Sequence, residues 1–158
     1  MALLSSAQMA SYDNAERRRY PAIYREVSSS HQSRYIELEQ AFAALRDQLK
    51  KLRLLRANWD TYGAPAPNDV ALAAADAALR MFRVMDVLPT RVLPSADGGI
   101  GILFTEREQY AHIEFENSGD TWVLIYGSNN PPITWQLPSG DPDSLREAWD
   151  RISASLQS

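Results

Sequence analysis

The first candidate for chemistry is an alternating run of polar side chains around residue 112. His112, Glu114 and Glu116 are spaced two apart, so on a β-strand they share one face with Tyr110. Imidazole and carboxylate groups can hold a divalent cation. Two further carboxylates are in nearby predicted turns, Asp97 and Asp120. The same alternation is typical of the solvent side of a half-buried sheet, and on that interpretation we predict no metal ion and no cofactor.

A second candidate is the turn that begins at Trp59 and Asp60. Two aromatic rings, Trp59 and Tyr62, together with a carboxylate could grip a cation or a sugar. The structural alternative is a helix terminator in which Asp60 accepts hydrogen bonds from backbone amides while the rings pack. Gly63 and the two prolines that follow it require a turn here. On this alternative, both aromatic side chains are expected to pin the turn against the body of the protein.

Three catalytic arrangements find no support in the sequence. No serine lies in a G-x-S-x-G segment, and only His31 and His112 could act as a base. The glycine-rich segment 97–101 leads into a predicted strand, so it lacks the helix N-terminus that binds phosphate. The only lysines, Lys50 and Lys51, are on a predicted helix, which disfavours a nuclease centre built on two carboxylates and a lysine. We therefore predict that the protein is not an enzyme.

The charge distribution offers a binding chemistry instead. Residues 1–58 carry ten Lys and Arg against six Asp and Glu, although the whole chain has a net charge of −4. A basic arm could bind the phosphates of a nucleic acid, with Tyr20 and Tyr24 for stacking on bases. The candidate phosphate contacts are Arg17, Arg18, Arg19, Lys50, Lys51, Arg53 and Arg56. An overall pI of about 5.2 weakens this prediction.

The element that must position many of these residues is a helix with a heptad-like seam. Its apolar residues recur three and four apart, and they are Tyr35, Leu38, Phe42, Leu45, Leu49 and Leu52. Ser33 is the predicted N-cap, and the helix is expected to run to about Asn58. The repeat is short, so the seam can pack on another helix of the same chain or on a second copy. Both alternatives stay open, and the seam is the predicted partner-binding surface.

The remaining pattern predicts an α+β domain. Residues 1–33 are predicted to form a flexible N-terminal segment, followed by a single domain over residues 34–158. That domain comprises a helical hairpin (34–86), a β-meander (90–137) and a C-terminal helix (141–156). Asn68 and Asp141 are the predicted caps of its second and third helices. The helices should pack on one face of a three- to four-stranded antiparallel sheet, in which the run 122–126 is either buried on both sides or placed centrally.

Two short motifs carry a resemblance to a known group of proteins. The segment W-D-T-Y-G-A-P-A-P (59–67) precedes an alanine-rich helix, and D-G-G-I (97–100) then precedes alternating strands. Over roughly residues 57–126 the chain resembles a family of small, uncharacterised bacterial and phage-associated proteins with a W-D-x-Y-G-A-P segment and a D-G-G-I strand start. The resemblance implies a bacterial or mobile-element setting and brings no activity or catalytic residues.

Together these patterns predict a non-enzymatic protein-interaction module. It would self-associate or bind a protein partner through helix 34–58, in a defence, anti-defence or toxin–antitoxin setting. The alternative is a nucleic-acid-binding accessory protein that uses its basic arm. The chain lacks cysteine, and no stretch approaches the roughly 20 apolar residues of a membrane span, so we expect a cytoplasmic location and no membrane partner.

Overall fold

The computed structural model describes residues 21–127, 130–138 and 141–157, and for residues 21–31, 130 and 142 it describes the backbone alone. The described residues fall into two units, a first that ends at residue 40 and a second that begins at residue 41. The elements in chain order are α1 (Pro21–Leu52), α2 (Asp69–Val84), β1 (Arg91–Pro94), β2 (Ile100–Glu106), β3 (Gln109–Phe115), β4 (Thr121–Gly127), β5 (Asn130–Leu137) and α3 (Pro142–Leu156). The fold class is α+β, as predicted. No helix among these residues is both long and apolar enough to cross a lipid bilayer.

Helix α1 begins earlier and ends earlier than predicted. It starts at Pro21 and continues through the serines at 28–30, so the predicted N-cap at Ser33 is wrong. Proline is well tolerated at the first position of a helix, and each serine costs only about 0.5 kcal/mol relative to alanine. The helix ends at Leu52, where turn bonds from Leu54 N and Leu55 N replace the helical pattern. The part of the predicted flexible segment before residue 21 lies outside the described residues.

Within the second unit, α1 contributes its apolar seam to the core. Phe42, Leu45 and Leu49 are all buried. The Arg83 guanidinium, near the end of α2, lies over the Phe42 ring at 5.8 Å from its centroid. At the opposite end of α2, the Asp69 carboxylate is 3.9 Å from the guanidinium of Arg53, which lies in the turn that follows α1. The two helices therefore form the predicted antiparallel hairpin.

The sequence predicted that the whole seam would be a partner-binding surface. In the structure, however, the seam does not form one continuous exposed surface. Its three central residues are core residues of this chain, whereas Leu52 is half-buried. In the first unit, Tyr35 is 59% exposed and Leu38 is half-buried. A charge placed at Leu45 or Leu49 would disrupt folding, because burying an unpaired carboxylate is strongly unfavourable. Such substitutions cannot report on association.

Local capping explains where α2 and α3 begin. The Asn68 side chain accepts hydrogen bonds from Val70 N at 2.9 Å and Ala71 N at 3.1 Å. The Asp141 carboxylate accepts from Asp143 N at 3.0 Å, and Pro142 follows it in the first turn. Each cap satisfies backbone N–H groups that have no partner within the helix. Both predicted caps are confirmed.

The sheet is an antiparallel meander with the strand order β1-β2-β3-β4-β5. It has five strands, so the predicted count of three to four is wrong. The strand that sequence reasoning missed is β1, which pairs Val92 with Ile102 and Pro94 with Ile100. It is only four residues long, it follows Pro89 closely and its last residue is Pro94, so its sequence carries little strand signal.

One face of the sheet packs against the helices. An aromatic cluster joins the two layers: Phe82 of α2 meets Phe104 of β2 edge-on at 5.2 Å, and Trp149 of α3 lies 5.1 Å from Phe104. The other strand residues buried on this side are Val92, Ile100, Ile102, Ala111, Ile113, Phe115, Val123, Ile125 and Leu137. Alternate positions of every strand therefore face the core.

The two motifs that carry the resemblance meet at one end of the sheet. Asn117, in the β3–β4 turn, accepts from Asn68 N at 2.7 Å and donates to the Ala66 carbonyl at 3.0 Å. The Asn68 side chain in turn donates to the Asn117 carbonyl at 2.9 Å. Gly98 packs so closely against Pro65 that a Cβ at this position would be 2.6 Å from the proline Cγ. The α1–α2 connection is thereby docked on the start of β2.

This docking predicts different effects for two alanine substitutions. Gly63 and Gly98 have φ values of +97° and +96°, so alanine at either position carries the same left-handed penalty of about 1–2 kcal/mol. Only the Cβ at Gly98 meets neighbouring atoms, whereas at Gly63 nothing lies within 4 Å. We expect Gly98→Ala to lower the free energy of unfolding by roughly 1–3 kcal/mol more than Gly63→Ala. Urea unfolding followed by tryptophan fluorescence measures both, and equal losses would contradict a tight contact with Pro65.

Candidate interaction surface

The face of the sheet opposite the helices, called the open face below, is covered by no part of residues 41–127, 130–138 and 141–157. Its residues alternate with the buried ones along each strand, and directly paired residues form rows across the sheet. The central row consists of Arg91, Leu103, His112, Leu124 and Thr134. A second row consists of Leu93, Gly101, Glu114, Trp122 and Gln136.

The open face carries several apolar and aromatic side chains among its polar ones. Trp122 is 37% exposed, Tyr126 is 38% exposed and Leu93 is 41% exposed. Tyr110 and Tyr126 stack across β3 and β4 with ring centroids 5.0 Å apart and an interplanar angle of 12°. Large aromatic groups are the commonest anchors of protein interfaces. The sheet therefore presents interface-type side chains on its uncovered side.

His112 lies at the centre of this face. Its ring packs on Gly101, where a Cβ would be only 2.5 Å from His112 Nε2. Burial of the ring lowers the pKa of His112 below its ordinary value of 6.5, and the negative charge of Glu114 opposes this by raising it. The imidazole is thus held in its neutral form at neutral pH, which suits a position between Leu103 and Leu124.

The edges of the sheet are less accessible than its open face. At one edge, Gln48 of α1 accepts a hydrogen bond from the outward N–H of Val92 at 3.2 Å. At the other edge, β5 contains Pro131 and Pro132, which have no N–H to donate to an added strand. Both devices oppose the addition of another strand. Contact with another molecule is therefore favoured at the open face.

The side chains that the sequence analysis considered as possible metal ligands do not converge on one point. His112 and Glu114 are on the open face, but the Glu116 carboxylate accepts from Ser118 Oγ at 3.0 Å in the β3–β4 turn. Asp120 accepts from Gln136 Nε2 at 2.9 Å. Within the part of the chain that the structure describes, no three His, Asp or Glu side chains are grouped as metal ligands.

The turn at Trp59 is organised by the Asp60 carboxylate, but it does not terminate α1, which already ends at Leu52. Asp60 Oδ1 accepts hydrogen bonds from Tyr62 N at 2.9 Å and from Ala64 N at 3.0 Å. Both bonds lower the pKa of the Asp60 carboxyl, and the bond from Tyr62 has the larger effect. Trp59 Nε1 donates to the Pro65 carbonyl at 3.2 Å. The Tyr62 side chain is 92% exposed, so the expectation that it pins the turn is wrong.

The predicted phosphate contacts are divided among three places. Lys50 and Arg53 line a groove of about 370 Å³ between α1 and α2, with Arg46 and Arg80 as further cations. Leu49 and Leu72 are among its apolar lining, and Asp76, which pairs with Arg80, is its acidic residue. Lys51 and Arg56 are exposed but do not line the groove. Arg17, Arg18, Arg19 and Tyr20, and the side chain of Tyr24, lie outside the described residues.

Sequence reasoning placed only part of the open face among the candidates. It singled out Tyr110, His112 and Glu114 but missed Leu103, Trp122, Leu124 and Tyr126. The run 122–126 was predicted to be buried on both sides or placed centrally. It lies inside the sheet, between β3 and β5, but only Val123 and Ile125 are buried. The sequence did contain a signal for this surface. Strand β4 is apolar on both sides, and the few predicted helices could not cover both faces of the sheet.

The environment of His112 predicts the effect of removing its acidic neighbour. Glu114→Gln deletes the charge that raises the His112 pKa, so we expect the pKa to fall further below 6.5. An unfolded chain takes up the proton near pH 6.5, whereas the folded chain takes it up at a lower pH. The free energy of unfolding therefore decreases as the pH falls from 6.5 through the folded-state pKa of His112. The decrease is larger in Glu114→Gln than in the wild-type chain.

An NMR titration of the imidazole Hε1 resonance measures this pKa, with His31→Gln assigning the other histidine. Glu147→Gln on α3 is the matched control and should leave the pKa of His112 unchanged. A raised or unchanged pKa in Glu114→Gln would contradict the described geometry.

Comparison with known proteins adds no assignment: the chain matches no family model, no curated protein and no solved structure.

Proposed function

We propose that the protein is a non-enzymatic protein-binding module whose binding surface is the open face of its sheet. The observation that carries this proposal is one-sided coverage of the sheet. The helices pack on one face, and the other presents Leu93, Trp122 and Tyr126 to solvent. Soluble proteins rarely leave a contiguous apolar patch uncovered unless it binds something.

The chemistry of the open face supports binding more than catalysis. Its strand positions carry two formal charges, Arg91 and Glu114, and these are not hydrogen-bonded to His112. The neighbouring carboxylates of Glu116 and Asp120 are engaged by Ser118 and Gln136. A surface with aromatic anchors and few charges matches the centre of protein–protein interfaces.

The surface in this proposal differs from the helix that the sequence favoured. The central seam residues of α1, Phe42, Leu45 and Leu49, are buried in the chain's own core, whereas Leu93, Trp122 and Tyr126 of the open face are exposed. The bacterial or phage setting implied by the resemblance, and a role in defence, anti-defence or a toxin–antitoxin system, stay predictions.

A photocrosslinking experiment tests the proposed function. The photoreactive residue p-benzoylphenylalanine would replace Leu124 at the centre of the open face, and in a second variant Val84, which is 84% exposed at the end of α2. Both proteins would be produced at native level in cells of the source organism and irradiated. We expect a discrete crosslinked protein adduct from position 124 and none from position 84.

The control at Val84 reports on random collisions, and circular dichroism shows whether each variant is folded. Absence of an adduct at position 124 in a folded variant, or equal adducts at both positions, would contradict binding through the open face.

A second candidate function, nucleic-acid binding, is favoured by the groove between α1 and α2. Arg46 and Lys50 lie on adjacent turns near the end of α1, Arg53 lies in the turn that follows it, and Arg80 joins them from α2. Lys50 is also 3.0 Å from Asp47, but both side chains are well exposed, so this pair competes weakly with a phosphate.

This candidate predicts that two charge reversals in the groove weaken binding to a single-stranded oligonucleotide. In Lys50→Glu/Arg53→Glu, the slope of log affinity against log salt should fall by about 0.7 for each lost phosphate contact. Arg107→Glu/Arg146→Glu makes the same change in net charge away from the groove, so it should reduce binding much less. Fluorescence anisotropy at several salt concentrations measures both. Equal losses in the two variants, or no binding at low salt, would remove this candidate.

A further inference from the structure

We propose that the open face docks on the open face of a second copy of this chain, with Arg91 of each copy against Glu114 of the other. This inference rests on the proposed function and names the partner. The charge pattern of the face, the state of the sheet edges and the size of the surface support it.

The charge pattern is self-complementary. Among the strand positions of the open face, Arg91 on β1 is the cation and Glu114 on β3 is the anion. They are two strands and one row apart, and neither forms an ion pair within the described part of the chain. In a two-fold symmetric contact, if one residue meets another then the reciprocal contact also forms. A single Arg91–Glu114 contact is therefore made twice.

The other residues of the open face would exclude water from the contact between Arg91 and Glu114. Leu103 and Leu124 flank the neutral His112 in the central row, and Trp122 is directly opposite Glu114 on the neighbouring strand. An arginine that reaches Glu114 from a second copy would also approach the Trp122 ring. Guanidinium groups bind favourably to an indole face. The apolar centre and the paired charges thus belong to one surface.

A nucleic acid does not fit this face, because its strand positions include one cation and one anion. Strand addition does not fit either, since Gln48 blocks the N–H of Val92 and two prolines interrupt β5. Face-to-face packing of two sheets is the arrangement that leaves these edges unchanged.

The size of the face sets the expected strength. The five strands have four to eight residues each, and at spacings of about 4.8 Å between strands and about 3.4 Å between residues they cover roughly 540 Å². Two such faces bury roughly 1,100 Å², near the lower limit for a specific interface. The expected dimer is therefore weak, dissociating at micromolar concentrations.

Analytical ultracentrifugation of the full chain over a range of concentrations tests the inference through charge reversal. Arg91→Glu and Glu114→Arg should each weaken dimerisation by about tenfold or more, because each places like charges opposite one another. An equimolar mixture of the two variants should regain dimers, since both contacts between unlike copies then join opposite charges. The paired reversals Arg146→Glu and Glu147→Arg on α3 are the matched controls and should behave like the wild-type chain.

Thermal unfolding establishes that each variant is folded, and Leu124→Asp gives an independent loss of dimer from the centre of the face. A monomeric wild-type chain at 200 μM, a dimer that survives both single reversals, or a mixture that stays monomeric while both variants are folded would each overturn the inference.

These outcomes are distinguishable from failure of the proposed function. A monomeric chain whose position 124 crosslinks to a different protein removes the second copy as partner but keeps the binding module. A monomeric chain with no adduct removes both.

Discussion

The structure depends on the packing of helices against one face of an antiparallel sheet. Phe82, Phe104 and Trp149 make this contact from α2, β2 and α3, with ring centroids 5.1 to 6.3 Å apart. Aromatic groups bury large areas and pack at defined angles, so the cluster fixes how the layers meet. Because the available helices cover a single side, the opposite side becomes the surface from which function must be derived.

The second constraint is the docking of the α1–α2 connection. A turn with two non-glycine residues at positive φ, Asn58 at 68° and Thr61 at 67°, is held by Asp60, whose carboxylate binds two backbone amides. The same connection is then fixed to the sheet by Asn117 and by the contact of Pro65 with Gly98. The polar groups of this region are used internally, which is why its residue types suggest a site while its geometry is that of a structural joint.

The sequence was informative where the determining interactions are local. The caps at Asn68 and Asp141 and the alternation of β2 and β3 depend on neighbouring residues, so the α+β class and most strands could be predicted. The start of α1 could not, because the weak helix propensity of its serines did not end the helix. The open face was only partly predicted, since an apolar run such as 122–126 does not reveal which of its two sides the rest of the chain covers.

The closed edges of the sheet limit how assembly can proceed. Growth through unpaired backbone groups has no natural end and produces filaments, whereas stacking of one face consumes that face and stops. Gln48 binds the outward amide of Val92 on β1, and β5 contains two prolines. Both features oppose filament growth by strand addition at the sheet edges. A complex formed through the proposed open-face contact is therefore finite, because each copy has a single such face to contribute.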